Sequence, residues 1–498
     1  MIVTLLCLAV TAAAAPRWLR VAQREHYLPG SISWTEQLWV SRHRECWGLW
    51  AAVLVAYGLG VFSNDVFYLV AAVVAAVIPP ALPFRGRTSK LAWTPRLRRL
   101  ALVLAVLVLL VGVWTPALAA VTALFLTVLV DAALWLVRPL EQRMARTFLE
   151  QARQRVARVR PTVVAITGSY GKTTTKNYLA HLLADTHTAL ASPASFNNAM
   201  GLSRAVNEGL VPGTEVFVAE MGTYGAGEIR GLCEVFPPDV AVITAIGEVH
   251  LQRMRSREGV LAAKAEITEK APVVVLNVDD DLLVGLADTL LAQGKEVVRC
   301  SVRDATADVA IVDGKVRVRG AALGAANLPA SVHPLNAACA LGAAVALGDD
   351  PKPLVKRLKS LPTVAHRLEP IEQAGGSWIL DDTYNSNPVG AAEAVRRAAA
   401  LAATSGGRVH VVTPGMVELG SLQDQRNAEL GQAVRDAGAA TLIVVGRTNG
   451  DALRRGASGG ATEVTGVPTR QDGVRLVEQK SRPGDVVLFE NDLPDHYP

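Results

Sequence analysis

Cysteine is scarce. The 498 residues hold five, Cys7, Cys46, Cys233, Cys300 and Cys339. They are scattered without paired spacing, which argues against a disulfide framework or a zinc site and fits a reducing compartment. A strong charge of one sign is lacking too. The formal net charge is +5, and the basic residues gather near apolar segments, so no nucleic-acid partner is expected. No repeat with a period of about 20–50 residues and no low-complexity tract stands out, which sets repeat arrays aside. What the chain has in excess is apolar residues, 50% of the sequence, with a mean hydropathy of +0.27. The excess lies at the front. The length predicts two or three domains.

Five apolar stretches, residues 2–15, 47–62, 66–83, 100–114 and 116–137, occupy the first 140 residues. A membrane-spanning helix needs about 20 residues, so the first, second and fourth are marginal while the third and fifth are comfortable. Arg17, Arg20, Arg24, Arg42 and Arg44 lie between the first and second stretches. Arg85, Arg87, Lys90, Arg96, Arg98 and Arg99 lie between the third and fourth, and Arg138, Arg143 and Arg146 follow the fifth. The turns at Ser63-Asn64-Asp65 and Thr115-Pro116 carry no basic residue. This alternation predicts five spans with the N-terminus outside and the C-terminal bulk in the cytoplasm, at a cell membrane. A cleaved signal peptide is the rival reading of residues 1–15, ending at Ala13-Ala14-Ala15, although no basic n-region precedes it. Asp131 inside the fifth stretch is costly unless paired, and helix packing and a substrate path both remain open for it. Residues 141–160 read as a basic juxtamembrane helix against anionic headgroups, or as a solvated connector.

Residues 163–166 are a short apolar run leading into Thr167-Gly168-Ser169-Tyr170-Gly171-Lys172-Thr173-Thr174, after which Leu179, Leu182 and Leu183 fall at helical spacing. Strand, glycine turn and helix start aim backbone N–H groups and the helix dipole at an anion. In that geometry Gly168, Ser169, Gly171 and Thr174 cradle phosphates, Lys172 reaches the outer ones and the Thr173 hydroxyl ligates Mg²⁺. The loop is the short GxxGKTT form, because Ile166 stands where GxxxxGK[ST] needs its first glycine. An ordinary glycine turn has no need of the Lys-Thr pair.

From residue 161 onward, strand-like runs alternate with helical segments. Runs at 216–219, 240–244, 273–276 and 297–300 predict one parallel sheet, and runs at 378–381, 409–413, 442–445 and 486–489 a second. The expected fold class is therefore an α-helical membrane domain followed by α/β, the latter a P-loop ATPase domain and a Rossmann-like C-terminal domain. The expected divisions are 1–140, 141–160, 161–365 and 366–498.

Motifs immediately after strands matter most in such sheets. In order they are GSYGKTTTK at 168–176, SFNNAMGL at 195–202, EMGTYGAGEI at 220–229, ITAIGEVHLQRMRSREGVLAAKAEI at 243–267 and LNVDD at 276–280. HRLEPI at 366–371, DDTYNSNP at 381–388 and GMVELG at 415–420 follow. Together these stretches resemble the Mur ligases, ATP-dependent amide-bond ligases, and most of all the branch that adds D-alanyl-D-alanine to a muramyl tripeptide.

The resemblance implies a central domain that binds ATP and two Mg²⁺ ions and a C-terminal domain that closes over it. It implies that Lys172 and Thr173 hold the phosphates and the first Mg²⁺, whose shell Glu220 completes. His250 would bind the second ion with Lys264, carbamylated into an anionic oxygen ligand. Asn336 would face adenine, Arg367 the phosphates, and Asp382 the ribose or the closure site. Asn197, Asn198, Tyr384, Asn385 and Asn387 would lie near the substrates; Glu418 is a weaker candidate. The sequence departs from the pattern at Ala245, at His333 and at Pro414. It also lacks the family's N-terminal domain, which grips a UDP-sugar, and has the apolar stretches there instead. The expected acceptor is a small-molecule or lipid-linked peptide, with the lipid bilayer and cell-wall assembly proteins as partners. A poly-γ-glutamate synthase-like ligase, an ATP-driven membrane transporter or sensor, and a non-catalytic scaffold are the rival readings.

Overall fold

The computed structural model describes all residues except Ala81, Arg85, 87–89, Ser195, His250, Ala330, 364–367, Tyr384, Asn385, 494–496 and Pro498, and all side chains besides except those of Arg42, Gln252 and Glu369. Two compact units result: residues 1–145 with 493–498, and residues 146–492.

In the larger unit the apolar runs form two sheets. The first has nine strands in the order Ala189–Ala191, Val216–Glu220, Thr162–Thr167, Val240–Ile243, Val273–Asn277, Glu296–Ser301, Val309–Val312, Lys315–Val318 and Ala321–Ala325. The first seven run parallel, and the last two are added by successive antiparallel pairings. Helices cover both faces, so the central strands are apolar throughout rather than alternating. Val164 and Ile166 face one core with Leu179 and Leu182, and Val163 and Ala165 face the other with Leu202 and Val206. The second sheet has the order Glu369–Glu372, Trp378–Asp382, Val486–Glu490, Val409–Thr413, Thr441–Val445 and Glu463–Val467, antiparallel only at its first pair. All nine strands expected from the sequence, the run at 163–166 included, form within a residue or so of their expected limits.

The helical unit departs from expectation. Among the described residues two helices, Ile2–Arg24 and Arg44–Phe62, are long and apolar enough to cross a membrane, or three if one bent pair counts as a single span. Five spans are not supported. The third stretch is helical only over Val66–Ala76, because Pro79 and Pro80 follow and cannot continue the ladder. The helix Pro95–Gly112 carries Arg96, Arg98 and Arg99 in its first turns. The fifth stretch breaks at Phe125 into Pro116–Leu124 and Leu126–Val159, bent by 77°. Residues 141–160 are accordingly no separate helix but the end of a 34-residue one.

Asp131 also finds its purpose here. Its carboxylate accepts from the backbone N–H groups of Gly30, Ile32 and Ser33 at 2.8, 3.3 and 2.9 Å and from the Ser33 hydroxyl at 2.6 Å. Those groups start the helix Ser31–Arg42, so Asp131 caps it from across the fold.

Candidate active site

The strand Thr162–Thr167 ends in the glycine loop, and the helix Lys172–Leu183 begins directly after it with Gly171 at its N-cap. Gly171 is left-handed, φ +78°, and a Cβ there would overlap the Asn336 amide. A Cβ on Gly168 would overlap the Thr244 hydroxyl. Glycine at both places lets two side chains close over the loop, and Asn336, on the helix Pro334–Ala346, is thereby brought to it. Lys172 Nζ donates to the Gly168 carbonyl at 2.7 Å, and Thr173 and Thr174 are half-buried on the first turn. Ser169 is buried; its N–H donates to Ala245 O at 2.8 Å and its hydroxyl accepts from Gly247 N at 2.8 Å.

Strand register sets Glu220 beside Ile166, at the root of this loop. Its carboxylate is buried, 3.2 Å from Lys176 Nζ, and accepts from Asn197 Nδ2 at 3.2 Å. Asn197 thus joins the site. Asn198 does something else: its side chain caps the helix Ala199–Gly209 by accepting from Gly201 N at 2.9 Å. Lys264, on the helix Arg257–Ala265, is 2% exposed. Burial first, and the positive charge of Lys172 second, hold its amine well below the ordinary lysine range.

On the second sheet, Asp382 and Glu490 end adjacent parallel strands, paired in register, and both are buried. Glu490 accepts from the Ser386 hydroxyl and, at 2.5 Å, from Thr413 Oγ1. Burial pushes its carboxyl up to about 7, with Asp382 adding repulsion. Asn387 caps the helix Pro388–Ser405 through Gly390 N at 2.8 Å. Glu418 sits in the GMVELG turn at φ +63°. His250, Arg367, Tyr384 and Asn385 lie outside the described residues.

Lys176, Thr244, Glu490 and the ion pair of Glu248 with Arg426 escaped the sequence reading. For Lys176 a signal existed, since it falls one helical turn after Lys172 and on the same face. Glu490 gave none, because its environment comes from residues 77 and 104 positions away.

Among the described residues no group of three or more His, Cys, Asp or Glu side chains forms a metal site by itself. The fit of a magnesium nucleotide rests instead on a helix N-terminus, a loop whose two glycines admit no Cβ, and the hard oxygen donors of Thr173 and Glu220 at one end of the sheet. These residues fit the group.

The chain matches the family profile described as Mur ligase middle domain over residues 166–332, and that described as Mur ligase, glutamate ligase domain over 366–490. It is 31% identical over 364 residues to the UDP-N-acetylmuramoyl-tripeptide–D-alanyl-D-alanine ligase of Mycobacterium tuberculosis, covering 66% of this chain and 70% of that protein. To the Bacillus subtilis protein of the same name it is 28% identical over 361 residues, covering 70% and 75%. Among solved structures, MurF ligase from Thermotoga maritima in complex with ADP superposes with a TM-score of 0.57 at 25% identity, covering 70% of this chain and 80% of that one. MurF from Acinetobacter baumannii gives a TM-score of 0.60 at 24% identity, covering 70% and 77%, and shares the fold.

Proposed function

The chain belongs to the Mur ligase family, whose members use ATP and Mg²⁺ to form amide bonds in building peptidoglycan precursors, and from that premise we propose a membrane-anchored ligase that joins an amino acid or dipeptide to a lipid-linked peptidoglycan-type peptide. The proposed division is a membrane part at 1–140, a basic helical segment at 141–160, an ATP-binding domain at 161–365 and a closing domain at 366–498. Its catalytic face lies in the cytoplasm.

In the proposed reaction a substrate carboxylate oxygen attacks the γ-phosphorus of ATP, ADP leaves, and an acyl phosphate forms. The amine attacks the carbonyl carbon, phosphate departs with the C–O electron pair, and the nitrogen loses a proton to leave an amide. The protein contributes positioning and charge stabilisation. The loop N–H groups and Lys172 hold the moving phosphoryl group, with Arg367 beside it, while Asn336 and Asp382 hold the nucleoside. Asn197 and the amide donors of Asn198 and Asn387, with Tyr384 and Asn385, orient the acceptor and amine. Thr173 and Glu220 would hold one Mg²⁺ ion and His250 with carbamylated Lys264 a second, which would supply neutralisation of phosphate charge.

The observation that carries this reading is Lys264. A buried amine beside a second lysine is poorly placed as an ammonium. Neutral, it can add CO₂, lose a proton and become a carbamate that Lys172 attracts instead of repels. A scaffold without catalysis has no use for that arrangement.

The membrane part of the proposal rests on where the family match begins. Residues before 166 lie outside it and contain the two apolar helices. An enzyme and an acceptor confined to one bilayer gain effective concentration without new contacts. Arg138, Arg143 and Arg146 would attract a lipid diphosphate at roughly 1 kcal/mol per basic residue near the surface. Tethering to cell-wall assembly proteins is the role left to the helices if the acceptor is soluble. The full chain in nanodiscs, given a panel of muramyl peptides and amines, should release ADP only when acceptor and amine are both present. ADP release indifferent to the amine would overturn the ligase reading.

A further inference from the structure

The loop after the strand Val240–Ile243 is stitched to the phosphate loop at Thr244, Ala245 and Gly247. Thr244 N donates to Thr167 O at 3.0 Å and the Thr244 hydroxyl to Tyr170 O. Ser169 N reaches Ala245 O and Gly247 N reaches the Ser169 hydroxyl, each at 2.8 Å. The Tyr170 ring lies so close on Gly247 that a Cβ there would overlap it. The next residue, Glu248, turns away and accepts two hydrogen bonds from Arg426, at 2.5 Å from Nε and 2.6 Å from Nη2. Arg426 belongs to the helix Gln423–Asp436 of the C-terminal half, 178 positions along the chain.

Arg426 is held ready for this contact. Its remaining arm meets Glu429 one turn on, at 2.6 Å, which fixes the plane of the guanidinium. The neighbouring Asn427 ties the GMVELG turn, accepting from Met416 N at 2.8 Å and donating to Met416 O at 2.9 Å. Leu422, just before the helix, packs against the core of the first sheet. A bidentate, partly desolvated arginine–carboxylate pair is both directional and stronger than an exposed one. One helix turn therefore holds the GMVELG segment on one side and the phosphate-loop partner on the other.

We propose that Arg426 is a positioning residue: by gripping Glu248 it makes the order of the phosphate loop depend on docking of the C-terminal half. Its consequence for turnover rests on the ligase reading above; the coupling itself does not. Breaking the pair should loosen residues 165–171 and 244–249 together while leaving the nucleotide contacts of the loop chemically intact.

The test uses the full chain in nanodiscs with Mg²⁺ and a non-hydrolysable ATP analogue. In hydrogen-exchange mass spectrometry, Arg426→Ala should speed exchange about tenfold in peptides over 165–171 and 244–249. Peptides over the strand Val273–Asn277 should not change, which general destabilisation would not spare. Glu248→Ala should match it, the double alanine variant should be no worse than either, and Arg426→Lys should fall between. The reversed pair Glu248→Arg with Arg426→Glu should return toward the original rate. With a lipid-linked muramyl peptide and D-alanyl-D-alanine, Arg426→Ala should lower kcat about tenfold and leave the KM for ATP within about twofold. Unchanged exchange in both peptides, or a double variant showing the product of the two single effects, overturns the coupling. If the unaltered chain releases no ADP with that pair of substrates, the substrate reading fails and the exchange data still decide the coupling. Should Arg426→Ala not fold, the lysine and reversed-pair variants carry the test.

Discussion

In the helical unit, Asp131 ends among three backbone N–H groups and a hydroxyl; in the ligase unit, Lys264 ends beside another lysine. The same contrast recurs elsewhere. Buried Arg17 and Arg20 donate to the carbonyls of Ala76, Pro79, Pro83 and Phe84, and Glu36 accepts from Thr127. Glu490 of the ligase unit instead has Asp382 as a like-charged neighbour. Buried ionic groups in the first unit hold helices and a loop in place. In the second, Glu220 is paired with Lys176, but Lys264 and Glu490 are each buried within reach of a like charge, an arrangement folding alone would not select and chemistry on charged phosphates does.

Breaking that contrast should have its largest effect at Lys172. Lys172→Ala should lower ADP release about thousandfold or more, because positioning and charge make up nearly all of phosphoryl-transfer catalysis. The melting temperature should hold or rise, since a like charge leaves Lys264. A variant that stays active and melts lower contradicts both halves of this expectation. Lys264→Ala should be nearly as inactive, with partial recovery in short carboxylic acids that occupy the vacated ligand space, and the unaltered enzyme should slow in CO₂-free buffer. Full activity of Lys264→Ala would sink the carbamate.

Glu490 sharpens the contrast through pH. Its folded form holds a proton to about 7 where the ordinary value is 4.5. Between those values the unfolded chain releases a proton that the folded chain keeps, so stability should fall as pH rises across this window, by roughly 3 kcal/mol at most. Thermal melts from pH 4.5 to 7.5 should show that slope, and Glu490→Gln should flatten it; an identical slope in the variant would remove Glu490 as its source. Asp131→Ala gives the smallest effect, a loss of about 1–2 kcal/mol from the helical unit as a cap is lost. Melting in detergent measures it, and turnover per folded molecule should not change. A fall in turnover without a fall in melting temperature would return Asp131 to the substrate path.

Much of the ligase unit was legible because its parallel strands are buried on both faces and read as apolar runs ending at motif residues. Gly168, Gly171, Lys172 and Glu220 could be placed from local sequence alone, since strand, turn and helix fix them within a few residues. Asn387 was legible as a cap, being followed by Pro388 at a helix start, yet the family pattern directs attention to substrate. Apolar length misled in the helical unit. The run at 66–83 contains Pro79 and Pro80, and the one at 116–137 breaks at Phe125, so hydropathy counted residues that no single helix contains. Asp131 and Arg426 were beyond reach, because their partners lie 98–101 and 178 positions away.

The central claim is that the chain's apolar N-terminal helices anchor it in the bilayer that also holds its acceptor. Its most direct test compares kcat/KM for a lipid-linked muramyl peptide with that for its UDP-linked counterpart, using the full chain in nanodiscs with ATP, Mg²⁺ and a fixed amine. The account predicts that the lipid-linked form is turned over at least about a hundredfold more efficiently, within the gain that shared confinement provides. Equal or better turnover of the UDP-linked form would contradict it.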